Sequence, residues 1–248
     1  VWCLDMVGEF KPSRGNMTHI LVMVDKFTKW IEVKPIRKLD GHSAVTFLKE
    51  IILRYGYPHS IISDNGTNFA VGEFARFCMN KGIRLDIASV AHPESNGQVE
   101  RSNALVLAGI KARLIEPLLK TPGCWIDEIP AVLWGLRTTP NRSTGYTPFF
   151  MVYGAEAMLP TDIEYDAPRV AMYTEAEAKE AREDAVDLLE EARELASSRS
   201  AIYQQGLRRY HSRGINPRVF HEGDLVLRLV QRKKGRHKLS PPWEGPFI

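Results

Sequence analysis

The chain has 248 residues, enough for one sizeable domain and a smaller module. Hydrophobic residues make up 44% and charged residues 25%, an ordinary globular balance that excludes an all-disordered chain, and no stretch approaches the roughly 20 apolar residues of a membrane helix. The formal net charge of +3 is small, but it is unevenly spread: residues 174–195 hold nine acids and three bases, whereas residues 201–240 hold ten Lys or Arg and two acids.

Residues 1 to 36 read as three strands, WCLDMVG, HILVMVDKF and WIEVKPI, with turn-rich EFKPSRGNMT between the first two. HSAVTFLKEIILRYG has Val45, Leu48 and Ile52 at helical spacing, and Gly56 stands at the expected stop. A short strand, HSIIS, runs into the turn DNGTN, and a helix around EFARFCMNKG and a strand at IRLDIAS follow. A long helix is predicted from about Asn96 to Glu116, ended by Pro117. Three strands in a meander followed by alternating helices and strands predict an α/β layer with a mixed sheet.

Two further helical stretches are predicted around WIDEIPAVLWGLRTT and TPFFMVYG. After LPTDIEYDAPRV a long amphipathic helix is expected from Thr174 to His211, with Ala181, Ala185, Leu188, Leu189, Ala192 and Leu195 on one face. GDLVLRLV then alternates like a strand and enters a basic loop, the pattern of a small β-barrel's first strands.

Cys3, Cys78 and Cys124 are widely spaced and match no zinc pattern, so no zinc is expected in this segment. VWCLDMVGEF lacks the marks of a signal peptide, which predicts a soluble intracellular protein. The chain begins at Val1 without methionine and stops inside an apparent strand, as a segment of a longer polypeptide would.

Chemistry points to carboxylates. Asp5 lies within the apolar run Trp2 to Val7, where a carboxylate is costly unless it is solvated, paired or bound to a cation. Asp64 ends an apolar strand and opens the turn DNG, a place aspartate also takes for conformational reasons alone. Glu100 can be phased: Ser95 and Gln98 form a capping box, so the helix begins near Asn96 and Glu100 shares a face with Asn96, Asn103 and Ala104, continuing to Leu107. Glu94 then precedes the helix. Three carboxylates from two strand ends and a helix start suit divalent cations with oxygen ligands, and two such ions can serve both the attacking and the leaving oxygen of a phosphodiester.

SDNGTNF (63–69) and HPESNGQVERSN (92–103) resemble the D,D-35-E catalytic core of retroviral and retrotransposon integrases. Thirty-five residues separate Asp64 from Glu100, and Asp5 occupies the first strand, where that family has its first aspartate. The resemblance is nearest to integrases of gypsy-type LTR retrotransposons: YTPFFMVYG resembles their post-core segment, GDLVLR their C-terminal domain, and WEGPFI the start of its GPY/F motif.

It implies a ribonuclease H-like mixed five-stranded sheet flanked by helices over residues 1–160, a linker and long helix over 161–216, and the start of a small SH3-like β-barrel over 217–248. Asp5, Asp64 and Glu100 would be catalytic and hold Mg²⁺ or Mn²⁺ as a pair. The implied reactions are 3′-end processing of element DNA with water and strand transfer into target DNA. Asn65, Asn68, Asn96 and Asn103 fall at polar positions near that site, and Arg232, Lys233, Lys234, Arg236 and Lys238 suit phosphate contacts. The implied partners are double-stranded DNA and further copies of the chain, with no membrane and no small-molecule cofactor. The implied location is the nucleus, after synthesis within a polyprotein.

Two departures limit the carry-over. The positions four and seven after Glu100, often basic in retroviral relatives, are Ala104 and Leu107, and the family's N-terminal His/Cys module is absent from the sequence. Two other readings compete. A ribonuclease H proper needs a further carboxylate on the first helix, for which Glu50 is available. A non-catalytic DNA-binding descendant would show loss of a carboxylate, and all three are present.

Overall fold

The computed structural model describes residues 1–38, 40–63, 67–87, 101–106, 108–109, 124–172, 174–212, 221–229 and 243–248. Its centre is a five-stranded mixed sheet of order β3-β2-β1-β4-β5. Strands β1 (Trp2–Ser13), β2 (Met17–Asp25) and β3 (Ile31–Ile36) form the antiparallel meander. Strands β4 (Ser60–Ser63) and β5 (Arg84–Ile87) add to the other side of β1 in parallel, which requires crossovers. Helix α1 (Gly41–Tyr55) supplies the first, and α2 (Thr67–Ala70) with α3 (Glu73–Asn80) the second.

The first hairpin departs from expectation. EFKPS is not turn but a continuation of β1, past an irregularity between Gly8 and Ser13, and the reversal is confined to Arg14, Gly15 and Asn16. Aromatic packing holds the extension down: Phe10 stacks on Trp125 at 4.8 Å, and Trp125 Nε1 donates to the Lys11 carbonyl at 2.9 Å. The tight turn needs positive φ at Gly15 (76°) and Asn16 (58°), which these two residue types tolerate.

Helix α1 begins and ends where the sequence predicts. The Asp40 carboxylate accepts from the Ser43 N–H at 2.7 Å as the N-cap, which holds its pKa below the ordinary carboxylate value, and Gly56 stops the helix with φ of 80°. Its buried row is Ala44, Val45, Phe47, Leu48 and Ile51, with the predicted Ile52 only half-buried.

Alternation along the strands builds two apolar layers. Trp2, Leu4, Leu21, Met23 and Ile61 face α1 and α3. Cys3, Ile20, Val22, Val24, Ile31 and Ile62 face the other way, onto Val106 of α4 (described over 101–106) and onto Trp125, Ile129, Val132 and Leu133 of α5 (Trp125–Thr138). Burying a large apolar side chain in such a layer contributes about 1.5–3 kcal/mol. The sheet is therefore clamped from both sides, the condition its parallel strands require.

Beyond α5, Thr147 caps α6 (Pro148–Tyr153), its Oγ1 accepting from the Phe150 N–H at 2.9 Å. Two one-turn helices, α7 (Pro160–Glu164) and α8 (Pro168–Ala171), occupy LPTDIEYDAPRV, each entered at a proline. The long helix α9 spans Glu175–Ser212, one residue inside and one beyond the predicted ends. Among its described side chains Ala192 and Ala196 are buried, while Leu188 and Leu195, expected on the buried face, are exposed. Strands β6 (Val226–Leu229) and β7 (Trp243–Phe247) pair antiparallel. No helix among the described residues is long and apolar enough to cross a membrane.

Candidate active site

The site is built on the middle strand of the sheet. Within β1, Trp2 and Leu4 point to α1, so the intervening Cys3 and Asp5 point to the α4–α5 side. Asp5 pairs across β2 with Val22, and its neighbour Leu4 lies in register with Ser63, the last residue of β4. An aspartate in this apolar strand is tolerated because it is fully engaged: Oδ1 accepts from the Met6 N–H at 2.8 Å and Oδ2 from Asn103 Nδ2 at 2.7 Å.

Helix α4 delivers Asn103. One turn further on, Val106 is wholly buried in the layer under α5, and this anchor presses the same helix face, with Asn103 at 7% exposure, onto the sheet. An ionised carboxylate only accepts, so the amide nitrogen must be the atom that faces Asp5, and Asn103 Oδ1 faces away. That oxygen is buried and has no hydrogen-bond partner among the described residues.

The predicted site residues fall into two groups. The structure brings Asp5 and Asn103 together and places Asn68 in α2, which Phe69 anchors by edge contact with Phe74 at 5.9 Å. Asp64, Asn65, Asn96, Glu100, Arg232, Lys233, Lys234, Arg236 and Lys238 lie outside the described residues. The predicted helix face needs one correction. Ala104 is exposed, and the inward row is Asn103 with Val106, because the helix is turned to meet Asp5 and the apolar layer together.

The described donors suit a hard divalent cation. Asp5, with its oxygens oriented by these hydrogen bonds, presents a carboxylate of the hard oxygen type that such a cation prefers. No group of three His, Cys, Asp or Glu side chains placed to hold a metal occurs among the described residues.

A second buried carboxylate was not singled out from sequence. Glu32 on β3 is 5% exposed; its Oε1 accepts from Trp30 Nε1 at 2.9 Å and Tyr55 Oη at 2.7 Å, and its Oε2 meets Arg54 at 2.9 Å and Arg137 at 3.2 Å. Burial by itself raises the Glu32 pKa, but the Tyr55 and Trp30 bonds and the Arg137 and Arg54 charges outweigh it and hold it below the ordinary value. Burial, together with donation to Glu32, pushes the Tyr55 phenol far up. The group ties β3 to α1 and α5. A lone acid inside the apolar pattern of WIEVKPI is the signal that would have found it. Glu50, the carboxylate a ribonuclease H would use, is paired to Lys34 on β3, two strands from β1, and stands on the helix covering the face opposite Asp5.

Residues 1–93 match the family described as Integrase core domain. The chain is 30% identical over 244 residues to the Pro-Pol polyprotein of Simian foamy virus type 3 (strain LK3), covering 98% of this chain and 19% of that protein. It is 31% identical over 248 residues to the Gag-Pol polyprotein of Baboon endogenous virus (strain M7), covering 100% of this chain and 13% of the relative. Against the Pol polyprotein of Radiation murine leukemia virus (strain Kaplan) it is 30% identical over 249 residues, with 99% and 40% covered. The chain thus spans well under half the length of these curated relatives.

These similar proteins are retroviral polyproteins, and the similarity does not single out the gypsy-type branch. Among solved structures, the fold resembles a chain of the simian T-cell lymphotropic virus intasome in complex with PP2A regulatory subunit B56 gamma. That likeness has a TM-score of 0.51 at 21% identity, over 60% of this chain and 52% of the other. It is a likeness of fold, the ribonuclease H-like mixed sheet with flanking helices.

Proposed function

We propose that this chain is the catalytic core and C-terminal part of a gypsy-type LTR-retrotransposon integrase, which trims the 3′ ends of element DNA and joins them to target DNA. The observation that carries the proposal is the Asn103–Asp5 hydrogen bond of 2.7 Å, which joins the last residue of HPESNGQVERSN to the aspartate of the first strand. Asp5, Asp64 and Glu100 are the proposed ligands of Mg²⁺ or Mn²⁺. Bound as a pair, these ions supply activation of the attacking oxygen and charge stabilisation at the leaving oxygen of a phosphodiester.

The protein's own part is positioning. Asn103 fixes the rotamer of Asp5 by donating to Oδ2, and the Met6 N–H fixes the other oxygen, so the carboxylate is held before substrate arrives. Asn65, Asn68 and Asn96 are proposed to hydrogen-bond DNA beside the site. Arg232, Lys233, Lys234, Arg236 and Lys238 are proposed to contact phosphates, which confers affinity and salt sensitivity without base specificity.

In this reading residues 1–160 form the core, 161–216 the linker and 217–248 part of an SH3-like DNA-binding module. The β6–β7 pair supports that last assignment, since two strands alone are marginal and need more sheet to be stable. The protein acts on double-stranded DNA as a homo-oligomer in the nucleus. The test offers a longer form of the protein oligonucleotides carrying the element's terminal repeats, with Mg²⁺ or Mn²⁺. Joined product that disappears in Asp64→Asn and Glu100→Gln supports the reading. Absence of joining in the parent protein, or joining unchanged in both variants, refutes it.

A further inference from the structure

Among the described side chains of helix α9, one apolar row meets the core and a second is exposed. The inner row contains the buried Ala192 and Ala196. The helix is fastened on that side by Arg193, whose Nε and Nη2 donate to the Met151 carbonyl at 3.3 and 2.9 Å, and by Arg199, which lies over the Tyr146 ring at 5.5 Å. The outer row is Leu188, Leu195 and Ile202, exposed by 59%, 43% and 69%. Scattered exposed leucines are normal. These three are seven residues apart, so they lie two helical turns from one another along about 21 Å of one face, the spacing of a helix–helix seam.

Two features of the sequence select the occupant. The row is symmetric about Leu195, with Leu188 and Ile202 equally far on either side. A two-fold axis at Leu195 therefore sets Leu195 on its own copy and Leu188 on Ile202, with the helices antiparallel. The charges agree with that direction. Residues 174–195 hold nine acids and three bases, whereas residues 196–212 hold Arg199, Arg208 and Arg209 and no acid. Antiparallel pairing lays the acidic half of each helix along the basic half of the other; parallel pairing lays acid along acid.

We infer that the Leu188–Leu195–Ile202 face of α9 is a self-association seam, on which a second copy of this chain docks its own α9 antiparallel and centred on Leu195. The inference rests on the homo-oligomer reading above and names the surface. It also gives a purpose to the acidic first half of α9, which would be a poor DNA contact.

Cysteine cross-linking of the full chain tests it, in a Cys124→Ser background because Cys3 and Cys78 are buried. Leu195→Cys alone should oxidise to a disulfide dimer, as facing seam positions approach within disulfide reach. Leu188→Cys and Ile202→Cys should link to each other when mixed, and neither should link well to itself. Each expected link should exceed by about ten-fold that of Leu53→Cys, an exposed control on α1, because docked cysteines meet at high effective concentration. Leu195→Glu should abolish association measured by sedimentation while the helical circular dichroism persists. Self-linking of Leu188→Cys at the level of the mixture would overturn the antiparallel arrangement. A multimer with no link above the control would overturn the seam and leave the homo-oligomer reading intact, whereas a monomer at all concentrations would remove both.

Discussion

Asn103 Nδ2 donates to Asp5 Oδ2 at 2.7 Å, between residues 98 apart in the chain. Asn103→Leu keeps the volume and removes the donor, leaving a partly buried carboxylate oxygen short of one bond. Second-sphere partners of this kind change metal affinity by about 10–100-fold when lost. The Mg²⁺ concentration that half-saturates strand transfer should rise by that order while the unfolding midpoint moves little. Unchanged Mg²⁺ dependence with a lowered midpoint would make Asn103 a packing residue only.

Glu32 gives a pH-dependent test of stability independent of catalysis. Its pKa is depressed in the folded state, so its contribution is fully present above the ordinary carboxylate value of 4.5 and is lost as pH falls through the lower folded value. Glu32→Gln removes the negative charge that Arg137 and Arg54 face. The cost at pH 7 should be about 2 kcal/mol, below the roughly 3–5 of a fully buried pair because Arg54 is solvent-accessible. Denaturant unfolding at pH 7 should show that difference, and it should shrink on acidification below pH 4.5.

Trp125→Phe tests what keeps EFKPS in the sheet. The substitution retains an aromatic partner for Phe10 but removes the Nε1 donor to the Lys11 carbonyl, which costs about 0.5–1.5 kcal/mol. Hydrogen exchange should accelerate locally over residues 9–13 and stay near parent levels in α1. A uniform change over both would show that this hairpin arm does not open by itself.

The strand runs of β1 to β3, the start and the Gly56 stop of α1 and the bounds of α9 were all legible, because local chemistry decides them, whereas the Asp40 N-cap was not singled out. Rotation about a helix axis was less so. The capping-box pattern SNGQ predicts a helix start but not which side turns inward. The pairing of Asn103 with Asp5 and the insertion of Val106 decide that, and leave Ala104 outside. The same limit explains α9, where Ala196 is inward and Leu195 outward because Arg193 and Arg199 tie the helix to Met151 and Tyr146. Glu32 was hidden for a related reason: its burial depends on guanidinium donors from Arg54 on α1 and Arg137 on α5, remote in sequence. For the site itself, Asp5 looked like an ordinary strand residue when taken alone. What the structure adds is Asn103, which α4 carries to it.

The basic run 232–238 makes a prediction about DNA affinity that is separable from the active site. If Arg232, Lys233, Lys234, Arg236 and Lys238 each neutralise a phosphate, binding releases one condensed counterion for each, and log K falls with log salt by about 0.9 per contact on duplex DNA. Replacing all five by Gln should therefore flatten the salt slope by up to about 4.5 and weaken binding most at low salt, equally for cognate and unrelated duplexes. Fluorescence anisotropy across a salt series measures both slopes. A cognate-specific loss would assign these residues to base readout, and an unchanged slope would remove them from the interface. Since Asp5 lies on the core sheet and Asn103 on α4, outside the basic run, the variant should keep its Mg²⁺ dependence at saturating DNA, which separates a weakened grip on DNA from a damaged centre.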